Sequence, residues 1–547
     1  MTTPAKELPS DVSTLQGLVA EQVLENLRKE EIIERHAQEL SKLRAQNDRL
    51  IEMIRLLRHH RFGKSSEKVP VEEKQLGIFN EAELEASAAK EEEEPTVEIK
   101  SYRRRGKPKR KPLPDDLPRE EVIVELPVEK RFCPEGHALE EIGEDVSERL
   151  DVIPAQMKVI RTIRKKYACR CCAGHVTRAP LPPMMIPKGI AAPGLLAQIV
   201  TSKYADGLPL YRQEQIWKRL GVDLSRTTMA SWIVKIGKEF IRLTNLLAEI
   251  LLAGDILGID ETTLQVLNEE GKTAESKSYM WVRGRNYPGA PPIVLFEYDP
   301  TRQGNVACRL LEGFTGYLQS DAYGGYNSVG KVDGMVRIGC WAHDRRKFFE
   351  ASKASKKGAG LANEALEQIR ALYKIEEQLK DASAEERYRV RQESSKPLLE
   401  KFKTWLEKHQ GTVPVKSQLG IALNYTLREW PRLIRYLDDG RLSIDNNFIE
   451  NAIRPFAIGR KNWLFSDSVA GAEASAAIYS VMATAKLNGH NVYAYMRHLI
   501  EHLPQATTAE EVVALLPTVL KPADVPTDFL RVASPSPTPA EQLPASA

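Results

Sequence analysis

Three acidic residues far apart in the chain, Asp260, Asp321 and Glu450, have the types and settings of a divalent-metal site. Carboxylates are hard oxygen donors suited to magnesium or manganese, and unpaired acids near buried elements are costly without a cation. Asp260 falls inside a strand pattern, ILGIDETTLQV at 256–266, and Asp321 ends another, GYLQSD at 316–321. Side chains alternate along a strand, so Asp260 and Glu261 point to opposite faces and only one can join a given cleft. Glu450 belongs to LSIDNNFIENAIRPFAIGRKNW at 442–463. There Phe448, Ile449, Ala452, Ile453 and Phe456 recur at the three-and-four spacing of a buried helix face, and Asp445 stands where an N-cap belongs. Glu450 lies beside that face with Arg454 one turn on. It either forms an i,i+4 ion pair, worth about 0.2–0.5 kcal/mol, or faces a positive group such as a metal. Asp445 is its rival as third acid. His343 either orients phosphate or water, or is structural.

A second set of ligand types lies earlier. Cys169 and Cys172 have the two-residue spacing that lets both thiolates reach one tetrahedral zinc, with Cys133 and His137 as the remaining candidates and Cys171 or His175 as substitutes. The alternative is a metal-free module of the same fold. Basic residues are segregated too. Arg103, Arg104, Arg105 and Lys107 open RRRGKPKRK at 103–111, either a minor-groove hook or a linker binding phosphates without sequence preference. Arg226, Thr227 and Thr228 open a helix after Gly221, in a pattern fitting a helix-turn-helix or an ordinary helical hairpin. Arg454, Arg460 and Lys461 are candidates for holding phosphates beside Glu450.

The elements that must position these residues follow from periodicity. The chain has 547 residues, a net charge of +3 and six cysteines, a soluble multidomain composition without a disulfide framework. No apolar run is long enough for a membrane span, and MTTPAKELPSDV lacks a signal-peptide core, so a cytoplasmic location is expected. Residues 15–64 carry heptads: Ile33, Leu40, Asn47 and Ile54 share one position, and His36, Leu43, Leu50 and Leu57 the other. This fits a parallel two-stranded coiled coil with Asn47 fixing register, or else a lone amphipathic helix. Residues 65–130 read as a charged, largely disordered linker. Residues 131–180 form the zinc-ribbon-like module, with a strand-like segment at 158–167, and 190–250 a helical DNA-binding region. Residues 251–350 with 441–470 form an α/β core: three strands, a short helix, a strand ending at Asp321, and a fifth strand over 335–341 leading into a helix. That order is the one of the ribonuclease H-like fold. About a hundred residues before Glu450 exceed any loop, so 351–440 is expected to be a helical insertion. Residues 471–521 read as helical, and 522–547 as a disordered tail.

The sequence resembles the DDE-class transposases of the insertion-sequence-66 family. The stretches that carry the likeness are GIDETTLQV at 258–266, SDAYGGYN at 320–327, CWAHDRRKF at 340–348, IDNNFIENAIRPFAIGRKNWLF at 444–465 and ATAKLNGHNVYAYMRHL at 483–499. The resemblance implies a bacterial, nucleoid-associated enzyme with Asp260, Asp321 and Glu450 as catalytic triad. It implies metal-dependent cleavage and strand transfer at element ends, a homodimer or higher assembly on DNA, and small accessory transposition proteins. The competing readings are a domesticated DNA-binding regulator and a metal-dependent nuclease without strand transfer.

Overall fold

The computed structural model describes residues 11–62, 157–164, 166–168, 176–178, 181–353 and 360–527. The chain divides into two compact units, Met1–Ala82 with Thr244–Ala476, and Glu83–Leu243 with Ala477–Ala547.

In the first unit, α1 (Val12–Phe62) is one uninterrupted helix of 51 residues, ~76 Å long at 1.5 Å per residue. Its expected heptad residues Ile33, Leu40, Leu43 and Leu50 are all more than half exposed. The sheet is built on β3 (Ile256–Asn268), flanked by β4 (Lys277–Arg285), β5 (Ile293–Asp299), β6 (Gly316–Gln319) and β7 (Met335–Ile338), in the order β5-β4-β3-β6-β7. The first three strands pair antiparallel, with Asp260 opposite Val282 and Val282 opposite Phe296; β6 joins β3 and β7 in parallel. A short β8 (Ser466–Ser468) pairs with the far end of β3. The chain crosses from β5 to β6 through α5 (Gly304–Leu310). The fifth strand ends at Ile338, not at 341, because Cys340 already occupies the N-cap of α6 (Trp341–Ser352).

After α6, residues 361–433 form α7 (Leu361–Gln378), α8 (Ala384–Val390), a π turn at Arg391–Ser395, α9 (Lys396–Gln410) and α10 (Gln418–Leu433), within the stretch 351–440 expected to be helical. Ser383 and Ser417 cap α8 and α10. Trp341 centres its aromatic core, 6.1 Å from Phe402 and 6.0 Å from Trp430 between ring centroids, and its Nε1 donates to the Leu433 carbonyl at 2.9 Å. Arg391 is fully buried. It holds Glu376 with two nitrogens and donates to the carbonyls of Tyr436, Asp439 and Leu442. That clamp fixes the strand of chain running into α11 (Asn447–Trp463).

α11 covers one face of the sheet. Phe456 lies 6.3 Å from Phe296, and Ile449 sits over Gly258 and Gly284, where an added Cβ would meet it at 2.7 and 3.3 Å. These two glycines are what let the helix approach β3 and β4.

In the second unit, β1 (Lys166–Ala168) and β2 (Val176–Arg178) form a small hairpin. The strand expected over 158–167 is confined to its end, since 157–164 lie outside any strand. α2 (Pro193–Tyr204) and α3 (Leu210–Arg219) are tied by Gln213, whose Nε2 donates to the Ile199 and Leu208 carbonyls. α4 (Arg226–Leu252) follows, in this unit up to Leu243, its first turn capped by Ser225 Oγ accepting from the Thr228 amide. The C-terminal helices are α12 (Val469–Leu487), α13 (Val492–His502) and α14 (Ala509–Ala514), the last closed by a Thr508/Glu511 capping box. The turn between α12 and α13 places Gly489 at φ 82, a left-handed conformation suited to glycine. Among the described residues no helix is long and apolar enough to cross a membrane.

Candidate active site

The strand register separates Asp260 from Glu261. Asp260 shares the face of Val282 and Phe296, the face under α11, whereas Glu261 shares that of Trp281. Glu261 is consumed there: Arg302 and the Tyr326 hydroxyl both donate to it. Its charge is balanced by Arg302, which reaches it from the rim of the cleft.

Asp260 has no such partner cation. Its Oδ1 accepts from the Glu261 amide at 2.8 Å. Burial, then the carboxylates of Glu261, Asp321 and Glu450, push its pKa well above the usual range. Asp321 follows β6 by two residues, at the carboxyl end of a parallel strand where α/β sheets place ligands, and its Oδ1 accepts from the Tyr323 amide at 2.9 Å. Glu450 stands in the first turn of α11, 3% exposed. Burial raises its pKa; His343 and, more weakly, Arg346 oppose that rise, while Asp445 and Asp321 add to it. Its Oε2 is buried without a hydrogen-bond partner. The fold thus brings the three predicted acids close enough for each to repel a neighbour.

The start of α11 is pinned to β3 beside Asp260: Asn446 Nδ2 donates to the Ile259 carbonyl at 3.1 Å. Asp445, the rival acid, is also buried, but its oxygens are occupied. Oδ1 accepts from the Asn447 amide at 3.1 Å, and Oδ2 from Tyr373 Oη at 2.8 Å and Asn447 Nδ2 at 2.9 Å. Asn446 rather than Asp445 is the N-cap residue. Asp445 still serves the helix start by holding Asn447.

Beside the acids lies an open cleft of ≈ 440 Å³ lined by Asp321, Tyr323, His343, Tyr425 and the cations Arg302, Arg346 and Lys347. Arg302 stacks on Tyr323 at 3.8 Å and Lys347 on Tyr425 at 4.4 Å. The cleft therefore sets positive charge and flat rings next to carboxylates, as suits a phosphate backbone.

The other predicted residues fare differently. Lys461 is exposed and Arg454 half-buried. Arg460 departs from its expected place at a phosphate: it is 6% exposed and donates to Thr262 and Thr263 Oγ1 at 3.3 and 3.1 Å. Its guanidinium fastens α11 to β3. Arg226 and Thr227 are exposed and Thr228 half-buried at the first turn of α4, where the Arg226 amide donates to Glu214 at 3.0 Å. Arg103, Arg104, Arg105, Lys107, Cys133, His137, Cys169 and Cys172 lie outside the described residues, as do Cys171 and His175.

Sequence reasoning missed Cys340. Its Sγ lies 3.9 Å from Glu450 Oε1, and burial with Glu450 and Asp445 holds its thiol well above the usual range. The C-x-x-H spacing of Cys340 and His343 was the available signal.

Comparison with known proteins agrees with this architecture. Residues 188–474 match the family described as Transposase IS66 family. Residues 130–173 match the zinc-finger binding domain of transposase IS66, 49–122 the Transposase C of IS166 homeodomain, and 480–518 the IS66 C-terminal element. The uncharacterized protein y4qI of Sinorhizobium fredii is 35% identical over 551 residues, covering 95% of this chain and 99% of its own. The uncharacterized proteins y4hP and y4jD of the same organism are 33% and 35% identical, over 79% and 74% of this chain and 80% and 81% of theirs. The chain belongs to the IS66 transposase family.

Proposed function

From that membership we propose that the protein is a DDE transposase, which binds the ends of an insertion sequence and cuts and rejoins DNA at a centre formed by Asp260, Asp321 and Glu450. The carrying observation is that two buried carboxylates, Asp260 and Glu450, arrive from separate elements, that Asp321 and Glu450 raise the proton affinity of Asp260, and that Asp321 raises that of Glu450 against the pull of His343 and Arg346. Buried like charges of this kind are relieved by a bound cation. The antiparallel-then-parallel strand order supports a ribonuclease H-like core.

Asp260, Asp321 and Glu450 offer the hard oxygens that magnesium or manganese takes, and Glu450 Oε2 is buried without a partner, but among the described residues the three acids do not bring one oxygen each within 4.8 Å of one another, so a bound ion would draw them closer. Such an ion, when bound, would neutralise and polarise the phosphodiester. The chain's own residues do the rest. α11, held by Asn446 and Arg460, keeps Glu450 over Asp260. Arg302, Arg346 and Lys347 attract the backbone to the cleft, and Lys461 and Arg454 extend that field along α11. Arg226, Thr227 and Thr228, with the Arg103–Lys107 stretch, are the proposed end-binding contacts. Cys133, His137, Cys169 and Cys172, all within the matched zinc-finger region, are the proposed zinc ligands. α1, with its exposed apolar heptads and Asn47, is proposed to pair two copies. Accessory transposition proteins are proposed partners.

The test uses labelled element ends with and without magnesium. Joined product is expected. Cleavage without joining would identify a nuclease, and binding alone a regulator; either result overturns the proposal.

A further inference from the structure

The junction between β7 and α6 carries ligand chemistry that a magnesium centre does not use. Cys340 caps α6, and the C-x-x-H spacing brings His343 round in the first turn beside it. From the opposite side, the chain entering α11 points its Asn446 amide at Cys340 Sγ, at 3.3 Å. Glu450 completes the group. Its Oε1 lies 3.5 Å from His343 Nδ1 and 3.9 Å from Cys340 Sγ, and one donor atom from each residue falls within 4.8 Å of the others.

These separations can be set against coordination geometry. A tetrahedral ion with bonds of about 2.3 Å to sulfur and about 2.0 Å to nitrogen and oxygen holds its donors about 3.3–3.6 Å apart. The two separations from Glu450 Oε1 already stand near that spacing, and the third is under 4.8 Å. Two buried polar atoms of the cluster, His343 Nδ1 and Glu450 Oε2, also have no hydrogen-bond partner. Native interiors rarely leave such atoms unmatched without a functional reason.

We propose that Cys340, His343 and Glu450 form a second divalent-ion site, selective for a thiophilic borderline cation such as Zn²⁺ or Co²⁺, and that filling it draws Glu450 away from the carboxylate centre. Sulfur and nitrogen donors favour zinc and cobalt over magnesium, whereas Asp260 and Asp321 favour the harder ions. On capture the metal replaces the thiol proton, which leaves to solvent. Glu450 belongs to both sets, so the two occupancies compete. The competition half rests on the proposed carboxylate centre; the binding half does not.

The test uses the full chain with Cys133, Cys169, Cys171 and Cys172 changed to Ser, which silences the ribbon thiols. Titration with Co²⁺ is expected to raise a thiolate-to-cobalt charge-transfer band. Cys340→Ser should abolish it. His343→Gln, at a partly exposed position that tolerates change, should lower Co²⁺ affinity about ten-fold or more. No band in the parent, or the same affinity in His343→Gln, overturns the site. Asp260→Asn should leave Co²⁺ affinity unchanged while weakening Mn²⁺ binding followed by electron paramagnetic resonance. Saturating Zn²⁺ should weaken Mn²⁺ binding about ten-fold in the parent but not in His343→Gln. Equal Mn²⁺ affinity with and without Zn²⁺ overturns the competition. Strong Mn²⁺ binding by Asp260→Asn would instead strike the carboxylate centre and leave the cobalt site standing.

Discussion

Gly258→Ala tests whether the approach of α11 to β3 sets the geometry of the acids. The new Cβ would lie 2.7 Å from Ile449 Cγ1 and 2.8 Å from Asn446 Oδ1, where ordinary contact needs about 3.5–4.0 Å. Either Ile449 leaves its place or the helix retreats by roughly 1 Å. Retreat stretches the 3.1 Å bond from Asn446 to the Ile259 carbonyl and moves Glu450 away from Asp260. Overpacking of this kind costs about 1–3 kcal/mol, and a displacement near 1 Å at a reacting centre costs about 10²-fold in rate. Urea unfolding and cleavage of labelled ends read the two effects. Ile449→Ala alone should cost about 2–5 kcal/mol through its cavity. Combined with Gly258→Ala it makes room for the methyl, so the double variant should be more stable than additivity by about 0.5–3 kcal/mol. Wild-type cleavage by Gly258→Ala, or strict additivity of the pair, would refute the reasoning.

Arg391→Ala should cost about 3–5 kcal/mol in urea unfolding, since it leaves Glu376 with only Arg387 and strands three carbonyls at a buried site; a loss under about 1 kcal/mol would deny the clamp. His498 gives the C-terminal helices a pH dependence. Burial, with His502 and His490, lowers its pKa to about 4, below the ~6.5 of an unfolded chain. The folded state then binds fewer protons, so stability is lost as pH falls from about 6.5 towards 4, by about 1–2 kcal/mol after allowing for its half-exposed position. His498→Gln should flatten that slope in thermal melts at pH 7 and pH 5. Deleting residues 1–64 should convert a dimer to a monomer in light scattering; an unchanged mass would remove α1 from assembly.

Periodicity made the core readable because each element has one dry face. Alternation along 256–266 put Asp260 and Glu261 on opposite sides, and the sheet register does the same. The three-and-four spacing of Ile449, Ile453 and Phe456 located α11, and all three are fully buried. What stayed hidden depends on contacts between distant segments. Nothing local to Arg460 says that its guanidinium is buried against two threonines of β3, so it read as a phosphate ligand. Asp445 and Glu450 look alike in sequence, and it is the bonds of Asn447 and of Tyr373, 72 residues away, that show which has occupied oxygens. Cys340 likewise gains meaning from Glu450, 110 residues on.

The central claim is tested most directly by magnesium-dependent cleavage of labelled ends by Glu450→Gln beside Asp445→Asn, with end binding measured on both. The account predicts that Glu450→Gln binds ends but cuts none, whereas Asp445→Asn still cuts and is only less stable. Cleavage by Glu450→Gln, or its loss in Asp445→Asn alone, would contradict it.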